Sequence, residues 1–248
     1  MMNNIHSKFI LTPLSEILKE CINAVKGIGK GIENYPLCEY IMQTTFLKMT
    51  GESEQKLKCI VWEIATFDFE FRYEFLRKTQ NYGEYSSLEQ KKNVFKDLKK
   101  EIIKFSNQVV LQILFTDSVK NTIKGKIKDM TDLIGTSCIV KWQEREFLFF
   151  KKNFDSFFDI NSFCKYDAKN QNLSFFDKTD EYEKIVFRHR NRCAHNLKSY
   201  QVNLPDFSSF VDKNYDYQNY FFRFAILILL DEIFMCMYQK YLELLNIC

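Results

Sequence analysis

Apolar side chains recur at helical spacing through most of the chain. The clearest pattern lies in residues 53–78, where steps of three and four positions predict one long helix. Its repeating apolar positions are Leu57, Ile60, Val61, Ile64, Phe67, Phe71 and Phe75. The same spacing predicts helices over residues 13–27 and 34–51, the second beginning near Pro36 and ending at Gly51.

The second half of the chain continues this pattern. Ser86 and Glu89 form a capping-box pattern, which predicts a Lys-rich helix from there to about residue 106. The polar residues 160–178 predict a loop, and Thr179 is the predicted cap of a helix that runs to about His195. Further helix is predicted over three ranges: residues 107–135 with a weak point at Gly125, residues 144–158, and residues 217–246.

The scarcity of glycine and proline favours helices over sheet. The 248 residues include 7 Gly and 3 Pro, whereas a sheet protein of this length needs many tight turns, which use these residues. We therefore predict an all-α fold of antiparallel helices, forming one domain over residues 1–248. Residues 1–50 belong either to the core of this domain or to an accessory helical extension.

The residue content disfavours several classes of protein. The N-terminus lacks the apolar segment of a signal peptide, and Asp231 and Glu232 interrupt the apolar run of residues 224–238, which therefore predicts a buried helix rather than a membrane span. The eight cysteines form no C-x-x-C pair and only three histidines are present, so neither a metal site nor a cofactor is predicted. Dispersed thiols among apolar neighbours predict a reduced, cytoplasmic protein. The net charge of +3 permits a polyanionic partner without requiring one.

Residues 187–196, FRHRNRCAHN, concentrate three arginines and two of the three histidines in ten positions. On a continuous helix Arg188, Arg192 and His195 share one face, because a helix advances about 100° per residue. Arg190 lies about 140° from His195 on the same wheel. These two residues can therefore meet only if the helix ends or deforms near residues 193–195, or if they meet across a subunit interface.

Two interpretations of this cluster are open. Arginine holds phosphate oxygens and offsets charge in a transition state, and histidine moves protons near neutral pH, so the cluster suits phosphodiester chemistry. RNA supplies its own nucleophile, the 2′-OH, and a symmetric dimer would bring two copies of His195 together. In the other interpretation, the arginines stabilise the negative end of a helix dipole and have no chemical role.

The segment RNRCAH, Arg190–His195, resembles the R-x4–6-H motif of the HEPN superfamily. Asn191 occupies the polar position that follows the motif arginine, and Ala194 is a small residue before the histidine, as in many members. Arg188 satisfies the six-residue spacing, so either arginine fits the motif. The predicted helical fold is also similar to that of HEPN proteins.

The resemblance implies a metal-independent endoribonuclease whose site is completed at the interface of a homodimer. It implies that His195 transfers protons, that Arg190 binds the scissile phosphate and that Asn191 orients the site, with Arg188 and Arg192 as further phosphate contacts. HEPN proteins commonly act as toxins or effectors in phage defence and abortive infection, so the implied partners are RNA and possible antitoxin or sensor proteins. Since some relatives are inactive, the alternative is a non-catalytic helical interaction or RNA-binding module.

Overall fold

The computed structural model describes residues 5–29, 31–78, 85–106, 109–195 and 215–245. These ranges are helical almost throughout, which confirms the all-α prediction. The α-helices are α1 (Ile5–Ile10), α2 (Ser15–Ala24), α3 (Tyr35–Phe67), α4 (Phe69–Lys78), α5 (Leu88–Phe105), α6 (Val109–Leu114), α7 (Asp117–Gly135), α8 (Glu144–Phe157), α9 (Thr179–Tyr182), α10 (Arg188–His195) and α11 (Tyr220–Leu245). Short 3-10 turns occupy Ile32–Asn34, Cys138–Trp142, Ile160–Ser162 and Tyr215–Tyr217.

Helix α11 lies at the centre of the fold. Its first half, from Tyr220 to Leu230, is buried on every side, as expected for a helix that is apolar all round. Helices α3, α5 and α7 pack against it. This confirms the prediction of a buried helix over residues 224–238. Among the described helices, none has the length and apolar character needed to cross a membrane.

Two acidic residues in the middle of α11 are buried with cationic partners. Asp231 Oδ1 lies 2.6 Å from Lys56 Nζ of α3, and both side chains are at most 5% exposed. The second oxygen of Asp231 accepts a hydrogen bond of 2.7 Å from the Leu14 backbone N–H, just before α2. Glu232 pairs with Lys126 of α7 at 2.8 Å. These contacts fasten the N-terminal helices and α7 to α11.

The hydrophobic core is continuous from one end of the described chain to the other. It includes Ile10 and Leu14 near the N-terminus and Tyr238 and Tyr241 near the C-terminus. Residues 5–29 thus contribute to the same core as α11. The division of the chain into domains, with residues 1–50 as a possible accessory extension, stays a prediction.

Three predicted helix boundaries differ from the structure. Helix α3 continues through Gly51, which was predicted to end it, and the predicted helix over residues 53–78 is interrupted at Asp68. Asp68 adopts an extended backbone, and its Oδ1 accepts the Phe71 N–H at 2.9 Å, so this side chain ends α3 and caps α4. The capping box before α5 uses Ser87 and Gln90, one residue after the predicted pair.

The described residues 109–195 follow most of the predictions, but the predicted helix over residues 107–135 is divided, since α6 ends at Leu114 and α7 begins at Asp117. Helix α7 passes through Gly125 without a break. The predicted loop contains a two-stranded antiparallel ribbon, β1 (Tyr166–Asp167) and β2 (Asn172–Leu173), in which Tyr166 is opposite Leu173. Thr179 is not the cap of this helix, as predicted, but the first residue of α9. The capping position is Lys178, whose side chain makes no capping hydrogen bond.

Candidate functional site

The arginine- and histidine-rich segment lies on the last part of a helical stretch that begins at Thr179. Between α9 and α10 the helix widens into a π-helical turn, Glu183–Phe187, in which the Arg188 N–H donates to the carbonyl of Glu183 five residues back. Ile185 and Val186 are buried in the core and hold this turn in place. The deformation therefore precedes the motif. Helix α10 itself is regular as far as His195. The sequence around Pro205 predicts a loop, but residues 196–214 lie outside the described residues.

Because α10 is continuous, its two faces carry different arginines. Seven residues turn a helix by about 700°, so positions 188 and 195 lie within about 20° of each other. We call this side, defined by Arg188 and position 195, the outer face. The Arg188 side chain is exposed, whereas the side chain of His195 lies outside the described part of the structure. Arg190 is about 140° away from position 195, on what we call the inner face.

On the inner face Arg190 is held by two polar partners. Its Nη2 lies 3.3 Å from Glu54 Oε1 of α3, and the side chains are 29% and 16% exposed. Its Nη1 donates to Asn191 Oδ1 at 3.2 Å. The structure thus brings Arg190 and Asn191 together, and the orienting role of Asn191 stays a prediction. Arg190 is therefore already paired with a carboxylate within its own chain.

A buried lysine lies close to this ion pair. Lys91 of α5 is 2% exposed, and its Nζ donates to the Tyr85 carbonyl at 2.7 Å. Burial lowers the pKa of Lys91 to about 8, with Glu54 acting in the opposite direction. Lys91, Glu54 and Arg190 border a cavity of about 10 Å³, which is too small to admit a phosphate group. A phosphate can therefore approach Arg190 only from its exposed side.

Arg192, His189 and Cys193 form a separate polar contact. Arg192 Nη2 lies 3.3 Å from His189 Nδ1, and Cys193 Sγ lies 3.4 Å from His189 Nε2. Since arginine can only donate, Nδ1 must accept, and the N–H of the neutral ring is then on Nε2 and directed at the thiol. Burial, followed by the charges of Arg223 and Arg192, lowers the pKa of His189 to about 2. His189 therefore stays neutral at physiological pH and is a packing residue.

Glu54 and Lys91 are site residues that the sequence reasoning missed. Glu54 is 136 positions from Arg190, and neither residue belongs to a local motif that would connect it to α10. Only the packing of α3 and α5 around the helical stretch reveals them. Within the described ranges, no group of three His, Cys, Asp or Glu side chains is arranged to hold a metal ion.

Comparisons with known proteins provide no relative. No protein-family model matches the chain, and no curated protein or solved structure compared with it matches. The resemblance to HEPN proteins therefore rests on the motif Arg190–His195 and on the helical fold alone.

Proposed function

We propose that this protein is a metal-independent endoribonuclease of the HEPN type that acts as a homodimer in the cytoplasm, as a toxin or effector in phage defence. The observation that carries the proposal is the outer face of α10, where exposed Arg188 and position 195 share one side of a continuous helix. An arginine beside a histidine provides a phosphate contact next to a proton carrier. Arg190, on the inner face, can complete such a site only for the His195 of a second copy.

The proposed reaction uses the substrate's own nucleophile. The 2′-OH oxygen attacks phosphorus and its proton passes to His195, and the P–O5′ bond breaks as the same imidazole delivers that proton to the departing 5′ oxygen. The products are a 2′,3′-cyclic phosphate and a 5′-OH end. Arg188 and Arg190 bind the phosphate oxygens and stabilise the charge that accumulates on them. One His195 transfers the proton in each site, and the Arg190 that completes the site belongs to the other copy, so two copies form two equivalent sites.

The experiment is cleavage of total cellular RNA in EDTA by the wild type and by Arg188→Ala, Arg190→Ala and His195→Ala. We expect His195→Ala to lose about 10²–10⁴-fold in rate, as for removal of an acid–base group. Arg145→Ala, which removes an 86% exposed arginine from α8, is the matched control and should cleave normally. Undiminished cleavage by His195→Ala, or no cleavage by the wild type, would contradict the proposal.

A second candidate is a non-catalytic helical interaction or RNA-binding module, and the ion pair between Arg190 and Glu54 favours it. In that case the guanidinium stabilises the packing of α10 on α3 and does no chemistry. A Glu54→Gln variant separates the two candidates. If Arg190 binds phosphate, Glu54→Gln retains cleavage whereas Arg190→Ala loses it. If Arg190 is structural, the two variants lower the unfolding midpoint alike and the wild type does not cleave RNA.

A further inference from the structure

A second, larger cavity lies beside the π-helical turn that leads into α10. It has a volume of about 340 Å³, within the range of small-molecule sites in proteins. The end of α8, the start of α9, the π-helical turn and the residues just before α11 enclose it. The side chains used below are Phe157, Lys178, Glu181, Lys184, Tyr217 and Gln218.

The floor of this cavity is aromatic and fixed. The rings of Phe157 and Tyr217 are stacked with centroids 5.4 Å apart and planes inclined by 26°. Tyr217 also packs on the buried Phe222 of α11 at 4.9 Å. Lys178 Nζ lies 4.1 Å from the centroid of Phe157 and donates to the carbonyl of that residue. Aromatic side chains are common stacking surfaces for unpaired bases.

A buried arginine joins two walls of the cavity. Arg223 of α11 is 4% exposed, and its Nε donates to the carbonyl of Ile185 in the π-helical turn at 2.9 Å. Its Nη2 donates to the carbonyl of Gln218, which lines the cavity just before α11. Because both walls are tied to one side chain of the core, the cavity is formed before any ligand enters, which reduces the cost of ordering on binding.

The charges around the cavity are balanced. Lys178 and Lys184 face it together with Asp180 and Glu181, and Gln218 adds an amide. A polyphosphate would meet two carboxylates here, so a purely anionic ligand does not fit. A neutral base whose edge carries an amino group beside a carbonyl acceptor does fit, since carboxylates accept from amino groups and lysine donates to carbonyl oxygens. Guanine and cytosine have this pattern of donors and acceptors.

The cavity is adjacent to the outer face of α10. Lys184 borders the cavity and lies four residues, about one turn of the π-helical segment, before Arg188. Position 195 follows two turns later on the same side. We propose that this cavity binds one unpaired guanine or cytosine of the RNA that is cleaved at α10. This inference rests on the proposed ribonuclease function and gives it a base preference a few nucleotides from the scissile bond.

The test is binding of short oligoadenylates that carry a single G, C or U, measured by fluorescence anisotropy. The protein is the 248-residue chain with His195→Ala, which prevents cleavage. We expect the G- or C-containing strand to bind about tenfold more tightly than the others, as one well-formed base contact provides. Glu181→Gln and Lys184→Met should each remove this preference. Glu146→Gln, an exposed carboxylate on α8, is the control and should keep it.

Any of three results would overturn the inference. These are equal binding of all strands, tighter binding of the U-containing or unsubstituted oligoadenylate, and a preference for G or C that remains in both cavity variants. Circular dichroism checks that each variant is folded, and Gln218→Ala provides an independent change to another wall. Mapping the cleavage positions of the wild type separates this outcome from failure of the proposed function. Cleavage without base preference refutes only the base site, whereas a base preference without any cleavage refutes the ribonuclease and leaves an RNA-binding cavity.

Discussion

Mixing two inactive variants tests whether two copies of the chain share one site. Helix α10 is continuous, so Arg190 and His195 of one chain lie about 140° apart and cannot converge on one phosphate. If Arg190 of one copy serves His195 of the other, a dimer of Arg190→Ala with His195→Ala retains one complete site. In the other site both residues are missing.

The size of the recovery follows from symmetry. Random pairing of equal amounts makes about half of the dimers mixed, and each mixed dimer has one of its two sites complete, so about a quarter of wild-type activity should return. Arg188 behaves differently, because it shares the outer face with His195 of its own chain. Mixing Arg188→Ala with His195→Ala leaves the remaining His195 without its neighbouring Arg188, so no activity should return.

The assay is initial cleavage rate after co-refolding of the two variants at several ratios, with each variant alone as the baseline. Activity should rise to a maximum at equal amounts for the Arg190 pair and stay at baseline for the Arg188 pair. If neither pair recovers activity while the wild type cleaves RNA, the shared site is wrong. Recovery by the Arg188 pair alone would mean that Arg188, and not Arg190, acts across the interface.

Three further predictions concern stability. Lys56→Met leaves Asp231 buried without its cation and should cost about 3–5 kcal/mol in urea unfolding, whereas Lys19→Met, at an exposed pair, should cost less than about 1 kcal/mol. Burial, followed by the charge of the neighbouring Asp68, raises the pKa of Glu101 to about 7, so the folded state holds a proton that the unfolded state releases. The free energy of unfolding should therefore fall by about 1 kcal/mol, after solvent screening, as pH rises from about 4.5 to 7. Unfolding curves of Glu101→Gln measured over the same pH range should not show this fall. Gly51→Ala should raise the free energy of unfolding by about 0.5–1 kcal/mol, because alanine loses less backbone entropy than glycine in a helix and its methyl group would meet no atom within 4 Å. An unchanged or lower melting temperature would contradict this.

The helical periodicity of the sequence predicted the fold class and most helix positions, and the errors have identifiable physical causes. Gly51 costs α3 only about 1 kcal/mol, which the buried neighbours Met49 and Ser53 outweigh through tertiary packing. The interruption at Asp68 arises from its own side chain, which caps the Phe71 N–H, and the apolar spacing continues through this point and does not reveal it. The cluster on α10 was recognisable because its residues are adjacent in sequence. The pairing of Arg190 with Glu54 could not be predicted, since α10 and α3 meet only in the folded chain.

The two faces of α10 explain why local charge alone could not assign the roles of its arginines. Three arginines within five residues have the same chemistry in the sequence, but the core separates them. Arg190 faces α3 and is neutralised by Glu54, and Arg192 is turned towards His189. Arg188 is exposed on the side of position 195. A phosphate that approaches α10 from solvent therefore meets Arg188 first and gains most from it, since no carboxylate among the described contacts of Arg188 competes for the charge. Arg190 contributes only if an RNA phosphate bound at the second copy reaches the exposed edge of its guanidinium. Dimer formation, rather than the number of arginines, should therefore control the cleavage rate.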